Sequence, residues 1–234
     1  MASILLGLVG CGGADEARGL DVYAAASLAE VLPELDPDAN FSFAGSDELA
    51  TQIREGAPAD VYAAASSRYP QELYEEGLVL KPATFATNRL VLVVPKANPA
   101  GIGSVEDLLQ PGTRLVVAAE GVPVGDYTRT VLGTLGLSKA LDNVVSNEDD
   151  VKGVTAKVSL GEADAGFVYA TDVTPVADRV RAIELPDDAQ PSIEYQVAVV
   201  VDSDDEGAAE EFVEKLLGEE GRAALERAGF VLPT

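Results

Sequence analysis

Two stretches of the 234-residue chain run through small residues and stop on a serine: Val22-Tyr23-Ala24-Ala25-Ala26-Ser27 and Val61-Tyr62-Ala63-Ala64-Ala65-Ser66. Between them, Phe41-Ser42-Phe43-Ala44-Gly45-Ser46 repeats the design with larger apolar residues. Each has the form of a strand that ends where a helix begins. A helix N-terminus carries unpaired backbone N–H groups and a partial positive charge, so a serine placed there adds a hydroxyl to a ready cradle for an anion. Alanine and glycine leave room for a guest to approach the backbone. Serine is also a favoured N-cap, and Ser27-Leu28-Ala29-Glu30 fits a capping box without any ligand. The recurrence of strand-end serines in one half of the chain favours the anion reading, because ligands of open α/β sheets lie beyond the carboxyl ends of the strands.

The residues that are missing narrow the chemistry further. With no histidine, the chain lacks the commonest general base and the commonest transition-metal ligand, which excludes Ser–His and Cys–His catalysis. A single cysteine, Cys11, excludes an intrachain disulfide and a cysteine-rich zinc site. What remains is carboxylates, hydroxyls and backbone dipoles. Forty acidic residues against sixteen basic ones give a net charge of −24, which argues against a nucleic-acid partner and suits a strongly solvated surface. At 47% hydrophobic content the chain can bury one large core or two modest ones.

The cysteine has its own context. Ile4-Leu5-Leu6-Gly7-Leu8-Val9 is too short to span a bilayer, and it leads into Leu8-Val9-Gly10-Cys11 and then Gly12-Gly13. That tetrapeptide resembles a bacterial lipobox, in which the cysteine is lipidated. Residues 1–19 are then expected to be the remnant of a lipoprotein signal and a tether. A free thiol in an N-terminal tail is the alternative.

The elements that must position the serines follow in an alternating order expected of parallel-sheet α/β construction. Strands are expected at 20–26, 40–44 and 60–65, with helices at 28–35, 48–55 and 69–76. Leu90-Val91-Leu92-Val93-Val94-Pro95 is a continuous apolar run, expected as a strand buried on both faces and ended by its proline. Tyr195 to Val201 is a second such run. Between them an inserted module is expected, with helices at 104–109, 126–135 and 151–160 and strands at 114–118, 165–169 and 180–185. The acidic runs at 148–150 and 202–206 suit helix starts, where negative charge meets the positive end of the dipole. Residues 205–229 have the pattern of an amphipathic helix, with Phe212, Leu216, Leu217, Ala224 and Leu225 as its buried stripe.

Several pieces in fixed order resemble the substrate-binding proteins of bacterial molybdate ABC transporters. They are Ala24-Ala25-Ala26-Ser27-Leu28, Phe43-Ala44-Gly45-Ser46 with Leu49-Ala50-Thr51-Gln52-Ile53, and Gly56-Ala57-Pro58-Ala59-Asp60-Val61. Further on come Asn88-Arg89-Leu90-Val91-Leu92-Val93, Val122-Pro123-Val124-Gly125-Asp126-Tyr127, Asp150-Val151-Lys152, Gly166-Phe167-Val168-Tyr169-Ala170-Thr171-Asp172 and Glu194-Tyr195-Gln196-Val197-Ala198. The resemblance implies a two-lobed periplasmic-binding-protein-like α/β fold of type II, each lobe a sheet flanked by helices, joined by two hinge strands. Lobe I would comprise 20–93 and 196–234, and lobe II 94–195. It further implies capture of molybdate, and with it tungstate, outside the cytoplasm and delivery to a membrane permease. The protein would be a monomer, without a cofactor or a directly bound metal, and anchored through Cys11. Ser27 and Ser46 would each give a hydroxyl and a backbone N–H, Val124 and Val151 backbone N–H groups, and Tyr169 its phenol. Valine at 124 stands where the family usually has alanine, a mild change where the backbone makes the contact. Ser66 is expected to be a plain cap.

The chemistry of that set is coherent. A dianion entering a closed cleft loses its water, and only oriented hydrogen-bond donors or a counter-charge can replace it. Donors without acceptors also reject a protonated oxyanion, whose O–H would find nothing to bind. Sulfate as the main cargo is the nearest alternative. An oxyanion-sensing lipoprotein without a transport role is another. An enzyme using Glu48, Asp60 or Asp126 as acid, base or hard-metal ligand is a third, weakened by the absence of paired, motif-spaced carboxylates.

Overall fold

Small and β-branched residues build the strands, and the chain order then decides which sheet each strand joins. The computed structural model describes residues 19–233, so the lipobox cysteine Cys11 lies outside the described residues. The strands are β1 (Asp21–Ala25), β2 (Asn40–Ala44), β3 (Val61–Ala64), β4 (Ala83–Asn88), β5 (Leu90–Pro95), β6 (Leu115–Ala118), β7 (Val144–Glu148), β8 (Ala165–Tyr169), β9 (Val180–Glu184) and β10 (Ile193–Val199). They form two five-stranded sheets, ordered β2-β1-β3-β10-β4 and β7-β6-β8-β5-β9. The helices are α1 (Leu32–Leu35), α2 (Ser46–Arg54), α3 (Arg68–Glu75), α4 (Pro123–Thr134), α5 (Val151–Ser159), α6 (Glu206–Leu217) and α7 (Glu219–Arg227). This is a two-lobed α/β fold.

Both sheets are mixed rather than purely parallel. β1 pairs in parallel with β2 and β3, and β6 with β7 and β8. β10 runs antiparallel between β3 and β4, and β5 antiparallel between β8 and β9. The cause is connectivity. A strand that enters a lobe from the other lobe arrives in the opposite sense to the strands wound within it, and β5 and β10 are those strands.

The chain crosses between the lobes at Arg89, between β4 and β5, and again in 185–192, between β9 and β10. The sheets therefore divide earlier than the expected 93/94 and 195/196. An apolar run such as Leu90–Val94 fits the interior of either sheet, so its composition cannot mark the boundary. All of Leu90 to Val94 are buried.

Four further differences have local causes. The helix expected at 28–35 is a 3-10 turn at Ala26–Leu28 followed by a single turn at Leu32–Leu35, and Ser27 makes no capping bond. α4 begins at Pro123 rather than Asp126, since proline fits the first helical position, where its missing N–H is not needed. The segment expected as a helix at 104–109 is a 3-10 helix, Val105–Leu109, with a Ser104/Asp107 capping box. The tail is two helices that meet at Gly218, and Phe212, Leu216, Ala224 and Leu225 are buried as expected. The acidic runs do start helices: Asp150 accepts from Gly153 N at 2.8 Å and Asp205 from Ala208 N at 3.1 Å.

One large apolar core runs through both sheets and the crossing strands, with a smaller cluster where α2 and α3 cover the first sheet. The core thus fixes the carboxyl ends of β1, β2 and β8 and the N-termini of α2, α4 and α5 around a shared space.

Candidate functional site

A cavity between the lobes is lined by Ala25, Ala26, Ser27, Ala44, Gly45 and Ser46 from the first lobe and by Val122, Pro123, Val124, Asp150, Val151 and Tyr169 from the second, with Ala65 beside them. It holds about 220 Å³ of empty space, its open mouth included. All five residues singled out by sequence, Ser27, Ser46, Val124, Val151 and Tyr169, meet here. They come from strand ends and first helical turns scattered over more than 140 positions, and among the described residues no lysine or arginine lines the space.

Each has a structural reason to face the cavity. Ser46 is the first residue of α2, behind the N-cap Gly45, and its N–H belongs to the first turn, which has no acceptor within the helix. Its Oγ accepts the Ala65 N–H at 3.1 Å, and its carbonyl accepts from Tyr62 Oη at 2.6 Å. Val124 and Val151 lie in the first turns of α4 and α5, so their amides are also free of helical acceptors. Ser27 sits in the 3-10 turn after β1, with Oγ 2.9 Å from Tyr195 Oη. The alanines and Gly45 keep the walls low.

Tyr169 is the informative member. At the end of β8 it is 1% exposed, and its Oη has no hydrogen-bond partner among the described residues. Burial pushes its phenol well above the usual range, so the proton stays on. The ring is held edge-on by Tyr127 and Tyr195, at 6.5 Å and 5.7 Å between centroids. An unsatisfied buried hydroxyl costs about 1–3 kcal/mol, a cost that a ligand in the cavity would offset.

The carboxylate nearest the space is occupied elsewhere, because Asp150 caps α5. A buried carboxyl lies behind α5. Asp172 has Lys152 Nζ 3.3 Å from its Oδ1, and burial, opposed by that lysine, raises it from 3.8 to about 6. The lobes are in contact around the cavity. Tyr69 Oη donates to the Gly121 carbonyl, Arg68 Nη1 lies 3.5 Å from Asp126 Oδ2, and Lys152 Nζ lies 3.6 Å from Glu30 Oε1. A Cβ built on Gly45 would come within 2.6 Å of the Asp149 carbonyl. This is a closed arrangement.

The carboxylates considered for catalysis are placed apart from the cavity. Asp60 accepts from Asp21 N at 2.8 Å, Ser203 Oγ at 2.7 Å and Asp204 N at 3.2 Å, a tie between chain segments. Asp126 accepts from Gly121 N at 2.9 Å, and Glu48 from Gln52 Nε2 at 3.1 Å on an exposed helix face. Among the described residues no three His, Cys, Asp or Glu side chains are grouped to hold a metal ion. Ser66, expected as a cap, is buried with its Oγ unpartnered among the described residues, and Ser67 precedes α3 instead.

Sequence reasoning missed the layer behind Ser27. Tyr195 was legible only as the start of an apolar strand, yet its Oη contacts Ser27 Oγ and lies 3.5 Å from Asn88 Nδ2. The signal was its polar tip at the head of a mostly apolar run, since a buried tyrosine hydroxyl needs a partner.

Residues 20–231 match the family model for bacterial extracellular solute-binding proteins. The chain is 36% identical to the molybdate-binding protein ModA of Mycobacterium tuberculosis, covering 99% of this chain and 95% of that protein. It is 29% identical to the molybdate-binding protein ModA of Escherichia coli K12, again over 99% of this chain and 95% of the other. Its fold superposes on the periplasmic molybdate-binding protein of Azotobacter vinelandii with a TM-score of 0.81, at 24% identity, over 92% of this chain and 100% of that one.

Proposed function

The chain belongs to the family of bacterial extracellular solute-binding proteins, and from that premise we propose that it captures molybdate, and tungstate with it, between its lobes and delivers it to the permease of an ABC transporter. The family is one of binding proteins and not of enzymes. The observation that carries the reading is the cavity itself: hydroxyls and helix N-termini and, among the described residues, no lysine or arginine on its walls and no partner for the Oη of the buried phenol Tyr169.

In this reading Ser27 and Ser46 supply hydroxyls and first-turn amides from one lobe. Val124 and Val151 supply amides from the other, and Tyr169 gives the phenolic proton. A compact dianion matches a donor-only cavity because every oxygen accepts and none donates. Each hydrogen bond to a charged group contributes roughly 1.5–3 kcal/mol, so several are needed to offset the lost hydration. The anion touches both lobes, so it favours the closed form and shifts the population towards it. Closure then presents a joint surface for the permease.

Calorimetric titration with molybdate, tungstate, sulfate and phosphate tests the reading. Molybdate and tungstate are expected to bind one to one and tighter than the others. Ser27→Ala with Ser46→Ala should weaken molybdate by about 100-fold or more while the fold is kept, as two charge-assisted bonds are lost. Preference for sulfate, or an unchanged affinity in the double variant, rejects it. A lipid anchor at Cys11 completes the proposal, with the protein acting as a monomer. Cys11→Ala should move the protein from the membrane fraction to the soluble one, and retention in the membrane rejects the anchor.

A further inference from the structure

The hydrogen-bond network behind Ser27 has a direction. Asn88 Oδ1 accepts the Arg89 N–H at 2.9 Å, which turns the amide so that Nδ2 faces Thr171 Oγ1 at 2.9 Å and Tyr195 Oη at 3.5 Å. An amide nitrogen only donates, so Tyr195 cannot pass its proton to Asn88. The other group bonded to the phenol is Ser27 Oγ, at 2.9 Å. Were Ser27 to donate there instead, the Tyr195 proton would be buried without an acceptor, a costly arrangement for a side chain that is 0% exposed. Burial also keeps that phenol protonated. Ser27 therefore accepts from Tyr195 and turns its own proton away, towards the cavity it lines.

Resting on the oxyanion reading above, we propose that Tyr195 and Asn88 are positioning residues that turn the Ser27 hydroxyl towards the cavity as a donor and engage one of the two lone pairs it could otherwise offer there. Selection against protonated oxyanions is then built into the layer behind the site. Ser46 is set in the same sense by another partner, because its Oγ accepts the Ala65 N–H at 3.1 Å and leaves its proton free. The relay also spans the lobes. Asn88 ends β4 beside the crossing at Arg89, and its partner Thr171 follows β8 of the second sheet. The donor sense of Ser27 is thereby tied to the contact between the lobes.

Molybdate and hydrogen phosphate separate this role from a merely structural one. At mildly alkaline pH both carry two negative charges, but only phosphate carries a proton that needs an acceptor. Tyr195→Phe keeps the ring packing against Phe85, Tyr169 and Phe230 and frees an acceptor lone pair on Ser27. It is expected to narrow the molybdate-to-phosphate affinity ratio by about tenfold, the equivalent of ~1.4 kcal/mol. Asn88→Asp retains the bond from Arg89 but offers the phenol an acceptor. It should reverse the relay, so that the ratio narrows at least as much, although its added charge acts alike on both dianions. In a Ser27→Ala background, Tyr195→Phe should leave the ratio where Ser27→Ala put it.

Molybdate and phosphate affinities that fall together in Tyr195→Phe, with the ratio unchanged, overturn the relay and leave the function standing. A further narrowing in the Ser27→Ala background overturns it too. A wild-type protein that binds neither anion overturns the function, and the relay with it.

Discussion

A dianion held without a counter-charge depends wholly on where O–H and N–H bonds point. Two donor types converge on the cavity, serine hydroxyls and first-turn amides that no helical carbonyl can reach. The amide role is testable at one position. Val151 is the first residue of α5, and Asp150 before it has φ −155° and ψ 177°, an extended geometry that a following proline accepts. Val151→Pro removes the N–H where the helix does not use it. The variant should fold and melt close to wild type yet bind molybdate roughly 10-fold to 100-fold more weakly, by the loss of one bond to a charged group. Unchanged affinity would show that the amide does not reach the anion. At this scale the sequence was informative for the strand-end serines, because small residues followed by serine signal a backbone left open to a guest. It was silent on Tyr195, since a partner 168 positions away cannot be read from local pattern.

Elements decide whether those donors can meet. The cavity closes because β1 and β2 end on turns with little side-chain bulk, and Gly45 shows how little room is left. A methyl group there would lie 2.6 Å from the Asp149 carbonyl of the other lobe and 2.7 Å from Asp47 Oδ1 of its own. The backbone at Gly45, φ −60° and ψ 140°, suits alanine, so Gly45→Ala should fold normally. Its methyl would obstruct closure and weaken molybdate by about tenfold or more, with little change in the melting temperature of the ligand-free protein. Wild-type affinity in that variant would refute the close approach of the lobes at this point. Strands and helices of strong period were legible to within a few residues, as in β2, β5 and β8. The edge strands β4 and β7 were not, because Ala83–Asn88 and Val144–Glu148 mix polar and apolar residues and owe their state to pairing with β10 and β6. Nor was the sense of β5 and β10 legible. Strand direction depends on which lobe the chain comes from, and composition carries no trace of that.

The whole molecule sets a constraint of its own. A body with net charge −24 takes up a dianion, so long-range forces oppose the encounter and short-range donors must overcome them. The association rate for molybdate should therefore rise with added inert salt. Stopped-flow measurement between about 0.01 M and 0.15 M, where the Debye length falls from about 30 Å to about 8 Å, should show an increase. A rate that falls with salt would mean that a local positive field guides the anion. Two lobes, with a cleft between them, could be expected from the order of the motifs, whereas the closed contacts, Tyr69 to Gly121 and Lys152 to Glu30, belong to side chains with no sequence signature. The most direct test of neutral donors replacing hydration is a crystal of the protein grown with molybdate, with diffraction recorded at the molybdenum absorption edge. A single anomalous peak in the cavity, its oxygens within hydrogen-bond distance of Ser27, Ser46, Val124, Val151 and Tyr169, is the predicted result. A peak beside lysine or arginine, or an empty cavity in crystals saturated with the anion, would contradict it.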